Sequence, residues 1–294
     1  MEMPAMRDAP AVVVTGVSTG IGNGALRELV RAGYRVFGSV RKREDADRLS
    51  KELGAAYVPL IFDVTDPAAV AKGVEAVLQA LEGRKLDGLV NNAGVAVPGP
   101  LLELPVAEFR RQVEVNLVSV LAVTQAFFPL LRKASDGGGR PARIVNISSV
   151  AGHIALPFLG PYAASKHGVE GLSDSLRREC LLYGVDVVVI DPASVATPIW
   201  DKAEVLDLSI YADSPYREQL RRMKDSMVAS GRRGSPPAVI GRFVVRVMRA
   251  RKPRARYMVG KGSAGIWAIT HLAGPRFVDR LLGRAMGLIP RRRS

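Results

Sequence analysis

Three side chains suited to proton chemistry on an alcohol or carbonyl stand close together in the sequence: Ser149, Tyr162 and Lys166. Hydride transfer to or from a carbon requires a proton to move on the attached oxygen, and a phenol with a pKa of about 10 is a poor base at neutral pH. Lys166 follows Tyr162 by four residues, so on a helix its ammonium would lie beside the phenol and favour the phenolate. Ser149, at the end of a predicted strand, is suited to orient the substrate oxygen. A Tyr-x-x-x-Lys spacing alone is also typical of ordinary helix surfaces, so its interpretation depends on the rest of the chain.

A glycine-rich turn near the N-terminus provides a second signal. Gly16, Gly20 and Gly22 directly follow a predicted strand and directly precede a predicted helix. Glycines let the backbone approach a pyrophosphate closely, and the helix N-terminus adds free amide donors and a favourable dipole. The turn therefore predicts a dinucleotide site, the alternative being a tight turn without a ligand.

The residues after the second predicted strand bear on which dinucleotide is bound. An NAD site commonly has a carboxylate there to bind the adenosine ribose, whereas this chain has Arg41, Lys42 and Arg43. A guanidinium can pair with a ribose phosphate, so Arg41 favours NADP(H) over NAD(H) as the cofactor. The alternative is that these three residues are only solvated.

Apolar, strand-like runs alternate with helix-length segments along most of the chain. This alternation predicts an α/β fold, a Rossmann-type doubly wound parallel sheet with helices on both faces. We expect a flexible N-terminus at 1–10, one domain at 11–240 with a substrate lid at about 198–237, and a basic C-terminal helical extension at 241–294 packed on the same domain. The predicted strands are 11–14, 35–40, 57–62, 88–90, 143–147 and 185–190.

Composition narrows the functions. Cys180 is the only cysteine, and the three histidines lack metal-site spacing, so a metal mechanism is disfavoured. Residues 1–10 have no apolar core of a secretory signal, and the apolar segment 117–131 is short for a bilayer, which favours a cytoplasmic protein in which that segment is a buried helix.

The net charge of +14 is concentrated at the C-terminal end. Residues 217–294 carry 20 Lys/Arg against 3 Asp/Glu, and the arginines alternate with apolar residues. This pattern predicts amphipathic helices with a basic outer face. Packing over the substrate pocket or a partner subunit is one role for them, and peripheral contact with an anionic membrane is another. Binding of nucleic acid is disfavoured.

The motifs together resemble the short-chain dehydrogenase/reductase family. The matching residues are Thr15–Gly22, Asp63-Val64, Asn91–Gly94, Asn116, Ser149 and Tyr162–Lys166. The resemblance implies that Tyr162 is the general acid/base and that Ser149 orients the substrate. It also implies that Lys166 binds the nicotinamide ribose and that Asn116, the fourth catalytic residue, anchors a water near Lys166.

The resemblance further implies a set of cofactor contacts. They are Gly16, Ser18, Thr19, Gly20, Ile21, Gly22, Arg41, Asp63, Val64, Asn91, Ala93, Gly94, Tyr162, Lys166, Pro192, Val195 and Thr197. One position departs from the family pattern, because Ala193 stands where the family usually has glycine. Alanine tolerates a positive φ poorly, so we expect the loop near the nicotinamide to differ in shape.

The substrate is predicted from the hydroxysteroid and retinol dehydrogenase branch, which the chain resembles most. That branch implies a lipophilic alcohol or ketone bound by Ser149, Phe158, Tyr162 and Trp200, the alternative being ordinary packing of the lid. The resemblance also implies a homodimer or homotetramer. A contrasting hypothesis is a catalytically weak regulatory or nucleic-acid-binding protein that uses the basic tail.

Overall fold

A computed structural model describes residues 8–136, 140–198 and 207–289. Seven parallel strands form one sheet in the order β3-β2-β1-β4-β5-β6-β7, so the chain reverses its direction of winding between β1 and β4. This is the predicted doubly wound architecture. The strands are β1 (Ala11–Val14), β2 (Arg35–Val40), β3 (Tyr57–Ile61), β4 (Gly88–Asn91), β5 (Arg143–Ile147), β6 (Asp186–Pro192) and β7 (Arg256–Val259).

Ten α-helices lie in the described part of the chain. They are α1 (Gly20–Arg31), α2 (Arg43–Leu53), α3 (Pro67–Leu81), α4 (Val106–Val113), α5 (Ser119–Phe127), α6 (Gly160–Glu179), α7 (Arg217–Arg232), α8 (Pro237–Arg249), α9 (Ser263–Leu272) and α10 (Pro275–Ala285).

Both faces of the sheet are covered. Side chains alternate along a strand, so Val12 and Val14 pack with α1, α2 and α8 on one face, whereas Ala11 and Val13 pack with α3 and α5 on the other. This explains why the strands are continuous apolar runs.

The predicted boundary at residue 240 is wrong, because α8 crosses it. Ile240, Val244 and Val247 are fully buried in the core, and the chain continues into β7, which pairs with β6. The sequence analysis did not identify β7. The segment 256–259 has only four residues, begins with Arg256 and is partly exposed except at Val259, so its pairing depends on the neighbouring β6. The helical extension therefore begins after Val259.

The helix α8 is held close to α1 by two glycines. A Cβ on Gly24 would lie 2.6 Å from backbone atoms of Pro237, and one on Gly241 would lie 2.4 Å from the carbonyl oxygen of Gly24. Larger residues at either position would force the two helices apart. The crossing fixes α1, whose N-terminus follows the glycine turn.

One helical run, 106–130, is long and apolar enough to cross a membrane by length and composition alone. In the structure it packs on the sheet, with Val123 and Phe127 buried in the core, as predicted for this segment. Val118 and Leu121 remain exposed on its outer side.

The lid and the C-terminal helices pack together. Leu220 and Met223 of α7 form a small core with Met286 and Leu288, which follow α10. The side chain of Gln219 also donates a hydrogen bond of 3.2 Å to the carbonyl of Gly287. The end of the basic segment therefore covers the lid helix.

Candidate functional site

The chemistry-bearing residues follow the carboxyl ends of β1, β4, β5 and β6. Thr15, Asn92, Ser148 and Ala193 are the first residues beyond these four strands. Ligands of open α/β sheets bind at this edge, at the point where the winding reverses. The topology thus brings the separate sequence motifs to one place.

The glycine turn forms a cradle that side chains would fill. Gly16 and Gly20 have φ values of +71° and +62°, and a Cβ on Gly22 would lie 2.2 Å from the carbonyl oxygen of Gly16. Thr19 precedes α1 and forms no side-chain cap, so it leaves the first amides of the helix open to an anion. These residues fit a dinucleotide pyrophosphate.

Two residues that the sequence analysis did not single out hold this turn in place. The hydroxyl of Thr15 accepts hydrogen bonds from the amides of Asn92 (2.9 Å) and Ala93 (3.0 Å). The side-chain amide of Asn92 donates to the carbonyls of Thr15 (2.9 Å) and Gly16 (3.1 Å). The motif after β4 therefore supports the motif after β1. Both residues lie in motifs that match the family, but the cofactor contacts that the resemblance implies include neither of them.

The end of β2 carries the predicted NADP contact. Arg41 is 69% exposed, and its guanidinium lies 3.8 Å from a carboxylate oxygen of Asp63. Asp63 is partly buried, which opposes ionisation, but hydrogen bonds from Thr65 and the nearby Arg41 hold its pKa below the usual value. Lys42 and Arg43 are also exposed.

Two further residues near this end were not predicted. Arg48 of α2 donates a hydrogen bond of 3.0 Å to the carbonyl of Ser18. The buried Ser39 accepts one of 3.0 Å from the amide of Gly16. Arg48 thus places a second guanidinium beside the glycine turn, where it also pairs with Asp45 (2.9 Å) and Glu52 (3.5 Å).

The side chain of Asn91 does not lie at the open edge. It is buried, and its amide donates to Thr124 and to Asn146, at 2.9 Å each. A cofactor contact at this position would therefore involve the backbone. Val64 is also nearly buried, in the core with Phe62 and Val70, and the side chain of Ile21 packs partly against the core.

Asn116 lies in a π-helical turn, Glu114–Val118, between α4 and α5. Its side-chain oxygen accepts from the amide of Val95 (2.9 Å), and its amide donates to the carbonyl of Val95 (3.0 Å) and to Ser165 (3.2 Å). Asn116 thus connects the loop after β4 to α6 by hydrogen bonds, and its partner in α6, Ser165, directly precedes Lys166. The π-helical turn that carries Asn116 is a feature often found at functional sites. The water that the resemblance implies between Asn116 and Lys166 stays a prediction.

Ser149, Tyr162 and Lys166 are brought together at the end of β5. Ser149 extends from the strand and accepts a hydrogen bond of 3.1 Å from the amide of Ala151. Lys166 is only 6% exposed; its ammonium donates to the carbonyl of Ile147 at 2.8 Å and lies 5.8 Å from the centre of the Tyr162 ring.

The ionisation of this group differs from the expectation. Burial raises the pKa of Tyr162, and a hydrogen bond with Ser149 only partly opposes the rise. Burial also lowers the pKa of Lys166 to about 8, although the Asp191 and Glu170 carboxylates act in the opposite direction. Desolvation therefore outweighs the expected stabilisation of the phenolate by Lys166 in the free site.

The loop after β6 folds over the glycine turn. A Cβ on Gly20 would lie 3.4 Å from side-chain atoms of Thr197, so Thr197 contacts the cradle as expected of a cofactor residue. Val195 is buried and forms a parallel bridge with Ser235. Pro192, the last residue of β6, is also buried.

Ala193 does not strain this loop. It has no positive φ, unlike Glu82 and Phe158, which are the non-glycine residues with positive φ in the described chain. Its amide donates to the carbonyl of Val259 at 2.8 Å, and Gly260 opposite takes the positive φ of +113°. β7 therefore accommodates the alanine.

Phe158 was predicted to contact the substrate, but in the structure its side chain is buried. It is 7% exposed and packs with Tyr211, Leu220 and Met223 of the lid, and its ring lies 5.7 Å from that of Tyr216. Its φ of 66° is unfavourable for a bulky residue. Phe158 thus anchors the lid to the segment between Ser149 and Tyr162. Trp200 lies outside the described residues.

The chain belongs to the short-chain dehydrogenase family, whose family model, described as short chain dehydrogenase, matches residues 10–205. The family binds NAD(P) and comprises oxidoreductases, in agreement with the site geometry.

Several relatives extend over most of the chain. An NADPH-dependent 3-dehydrocapnine reductase of Ornithobacterium rhinotracheale is 38% identical and covers 92% of this chain and 94% of its own. Retinol dehydrogenase 7 of Rattus norvegicus is 34% identical over 74% of this chain and 70% of its own. A short-chain dehydrogenase/reductase of Burkholderia phymatum, solved in complex with NAD, matches the fold with a TM-score of 0.76 at 24% identity, over 95% of this chain and 96% of that one.

Proposed function

We propose that this protein is an NADP(H)-preferring oxidoreductase that interconverts a carbonyl and an alcohol on a lipophilic substrate. The observation that carries the proposal is the group formed by Ser149, Tyr162 and Lys166 at the sheet edge that also bears the glycine cradle. One site thus combines a dinucleotide cradle with a proton donor.

The protein's residues supply the proton chemistry. Bound NADPH would supply the hydride. The Tyr162 hydroxyl donates its proton to the carbonyl oxygen as negative charge develops there, and the Ser149 hydroxyl donates a hydrogen bond to the same oxygen. Because burial keeps the Tyr162 phenol protonated in the free site, the resting site is ready to donate a proton, as reduction requires.

Preference for NADP(H) rests on charge at the end of β2. Arg41 is exposed directly after β2, at 3.8 Å from Asp63, and no carboxylate immediately follows Val40. The name of the Ornithobacterium relative, which states NADPH dependence, supports the same preference.

A lipophilic substrate is supported by the surroundings of the site. Leu101, Leu102 and Leu156 are exposed, and Leu101 lies against Gly160 at the start of α6. The backbone of Gly99 binds the carbonyl of Phe158 at 2.9 Å, so this apolar segment adjoins the stretch between Ser149 and Tyr162. Relatives named as retinol and 17-beta-hydroxysteroid dehydrogenases support the substrate class.

The exposed Val118 and Leu121 on the outer side of the 106–130 run support a homodimer or homotetramer. Light scattering on Val118→Ser and Leu121→Ser variants tests this assembly, since a monomeric wild-type protein would contradict it.

The function is tested with purified protein and NADPH on a panel of lipophilic ketones and aldehydes. Tyr162→Phe is expected to lower kcat at least about a hundredfold while NADPH fluorescence titration shows unchanged affinity. Tyr183→Phe, a matched change on a partly exposed tyrosine beyond α6, serves as the control. Full activity of Tyr162→Phe would contradict the proposed acid/base role.

A further inference from the structure

A cluster of four charged side chains lies behind Lys166 and has no part in the chemistry described above. His153 Nε2 is 3.1 Å from Asp191 Oδ2 and 3.9 Å from Glu170 Oε1. Arg256 binds Glu170 Oε2 through Nη2 at 2.6 Å and Nε at 2.7 Å, and its Nε lies 3.7 Å from Asp191 Oδ2. The cluster joins the turn after β5, helix α6 and strands β6 and β7.

The two carboxyl groups of the cluster have more acceptor oxygens than the surrounding residues have donors for them. Asp191 is fully buried and Glu170 nearly so. Asp191 Oδ1 and Glu170 Oε1 are buried without a hydrogen-bond partner, and one ligand atom from each of His153, Glu170 and Asp191 lies within 4.8 Å of the others. It is unfavourable for two buried carboxyl groups in one cluster to be ionised together, because their negative charges repel each other in a poorly solvated site. A proton held between Asp191 Oδ1 and Glu170 Oε1 would give both oxygens a hydrogen-bond partner. Arg256 already provides the positive charge that a cation would bring.

The cluster is placed to act on Lys166. Glu170 follows Lys166 by one turn of α6, and Asp191 directly follows Ile190, which pairs in the sheet with Ile147. The carbonyl of Ile147 is the one that binds the Lys166 ammonium. Asp191 and Glu170 are the carboxyl groups whose negative charge acts on Lys166, where it opposes the effect of burial on the pKa of the ammonium.

The other groups around Lys166 contribute less charge. Tyr162, on its own helix, is a protonated phenol in the free site, and Asn116, from the π turn, is neutral. His153 and Arg256 carry the positive charges that face the carboxyl pair. The net charge of the cluster therefore depends on how many protons His153 and the carboxyl pair hold.

We propose that Asp191 holds a proton at neutral pH and shares it through a hydrogen bond with the Arg256-bound carboxylate of Glu170, and that both are positioning residues that set the charge of Lys166. When the pH rises and the shared proton leaves, two carboxylates act on the Lys166 ammonium and hold it in its charged form. The cluster thereby offsets the desolvation that drives Lys166 towards the neutral amine. This inference rests on the proposed role of Lys166, which needs its positive charge beside Tyr162.

The pKa values of these groups agree with the proposal, because Asp191 loses its proton at a lower pH than Lys166 does. Burial raises the pKa of Asp191 to about 7, and the neighbouring Glu170 adds to the rise. The hydrogen bond to Asp191 raises the pKa of His153. Lys166 has a pKa of about 8, so the cluster becomes more negative just before Lys166 would lose its proton.

The proposal is tested by NMR titration of protein labelled with ¹³C at the lysine ε-carbons, with the Lys166 signal assigned by its loss in Lys166→Arg. Asp191→Asn and Glu170→Gln each leave a single negative charge in the pair. Both are therefore expected to lower the titration midpoint of Lys166 by about one pH unit. Asp174→Asn is the matched control, because Asp174 also lies on α6 and pairs with Arg256 at 3.5 Å but is partly exposed. It should move the midpoint by less than about 0.3 unit.

An unchanged midpoint in Asp191→Asn and Glu170→Gln, or an equal shift in Asp174→Asn, would overturn the proposal. The wild-type protein gives an independent check if the variants do not fold: its Lys166 signal should show a second inflection near pH 7 as the pair ionises, and a single inflection contradicts a shared proton. None of these measurements uses a substrate, so their failure is distinct from failure of the Tyr162→Phe test.

Discussion

The ammonium of Lys166 lies 5.8 Å from the centre of the Tyr162 ring and is bound to the backbone carbonyl of Ile147 at 2.8 Å. Burial acts on both side chains in the direction of their neutral forms, because it raises the pKa of Tyr162 and lowers that of Lys166. The site therefore holds an amine in a position where its charge is costly to the fold, a relationship typical of functional residues.

Replacing Lys166 with Met should stabilise the fold at neutral pH. The folded pKa of about 8 is lower than the unfolded value of 10.5, so the folded state binds fewer protons than the unfolded state between these values. Stability consequently rises as the pH rises through this window. The shift costs about 3 kcal/mol at pH 7, and losing the hydrogen bond to Ile147 costs about 1 kcal/mol.

We therefore expect Lys166→Met to raise the free energy of unfolding by about 2 kcal/mol at pH 7, measured by urea denaturation. The gain should disappear at about pH 10, where Lys166 is already neutral in the folded state and the remaining desolvation cost has fallen to the value of the lost hydrogen bond. Lys133→Met, at a partly exposed lysine whose ammonium lies 4.5 Å from the centre of the Tyr183 ring, is the control and should show no such pH dependence. A loss of stability in Lys166→Met at pH 7 would contradict the desolvation argument.

Arg41→Ala should weaken NADPH binding about tenfold while leaving NADH binding nearly unchanged, since a guanidinium can bind the ribose phosphate that NADH lacks. Fluorescence titration with each dinucleotide measures both affinities. Arg43→Ala is a matched control on the same exposed segment. Equal losses for the two dinucleotides would show that Arg41 acts through its ion pair with Asp63 rather than on the phosphate.

Much of the fold was predictable because its strands are buried on both faces. The limits of β2 and β5 agree with the sequence prediction, because both strands are almost entirely buried and their apolar residues indicate where they lie. β7 was missed because Arg256 and Tyr257 are partly exposed and pair only through β6. A strand whose pairing depends on a distant neighbour leaves no periodic pattern of its own.

The residues of the site could be predicted from the sequence, but their burial and their hydrogen-bond partners could not. Motif spacing identified Ser149, Tyr162 and Lys166, but the pKa directions depend on burial, which only the folded chain determines. The Asp191–His153 contact joins residues 38 positions apart, and no local pattern indicates it. Phe158 was assigned to the substrate because it lies between Ser149 and Tyr162 in a stretch that resembles hydroxysteroid and retinol dehydrogenases, whereas its burial depends on residues more than fifty positions later.

Arg143 should be a major contributor to stability although it is charged and only 1% exposed. Its guanidinium donates to the carbonyls of Val247 (2.5 Å), Met248 (2.6 Å) and Ala250, and to Asp186 at 3.2 Å, so it caps the C-terminal end of α8. Arg143→Met leaves these carbonyls without a donor.

We expect Arg143→Met to cost about 3 kcal/mol in urea denaturation. Arg140→Met is a matched control, because Arg140 also donates to a carbonyl at this helix end, that of Arg249, the last residue of α8, but is exposed. Its loss should cost less than about 1 kcal/mol. Similar costs for the two variants would mean that burial of the guanidinium does not determine its contribution.

The C-terminal helices should bind anionic membrane surfaces. Trp267, Leu272, Phe277 and Leu281 are exposed on α9 and α10, although the chain after α10 packs on the lid. Arg276, Arg280 and Arg284 alternate with the apolar residues of α10, and the whole C-terminal quarter carries 20 Lys/Arg against 3 Asp/Glu. Exposed aromatic and aliphatic side chains beside arginines are the features of an interfacial helix.

Phe277→Ser should therefore lower the affinity for vesicles containing phosphatidylserine about tenfold in sedimentation assays, because one buried aromatic side chain contributes about 1.5–3 kcal/mol. Leu78→Ser is a suitable control, since Leu78 is similarly exposed on α3, far along the chain from the basic segment. Binding should also weaken as salt rises, because the arginines act through screened charges. Equal binding to neutral vesicles, or equal losses in both variants, would assign the exposed residues to a different contact, such as a partner subunit over the lid.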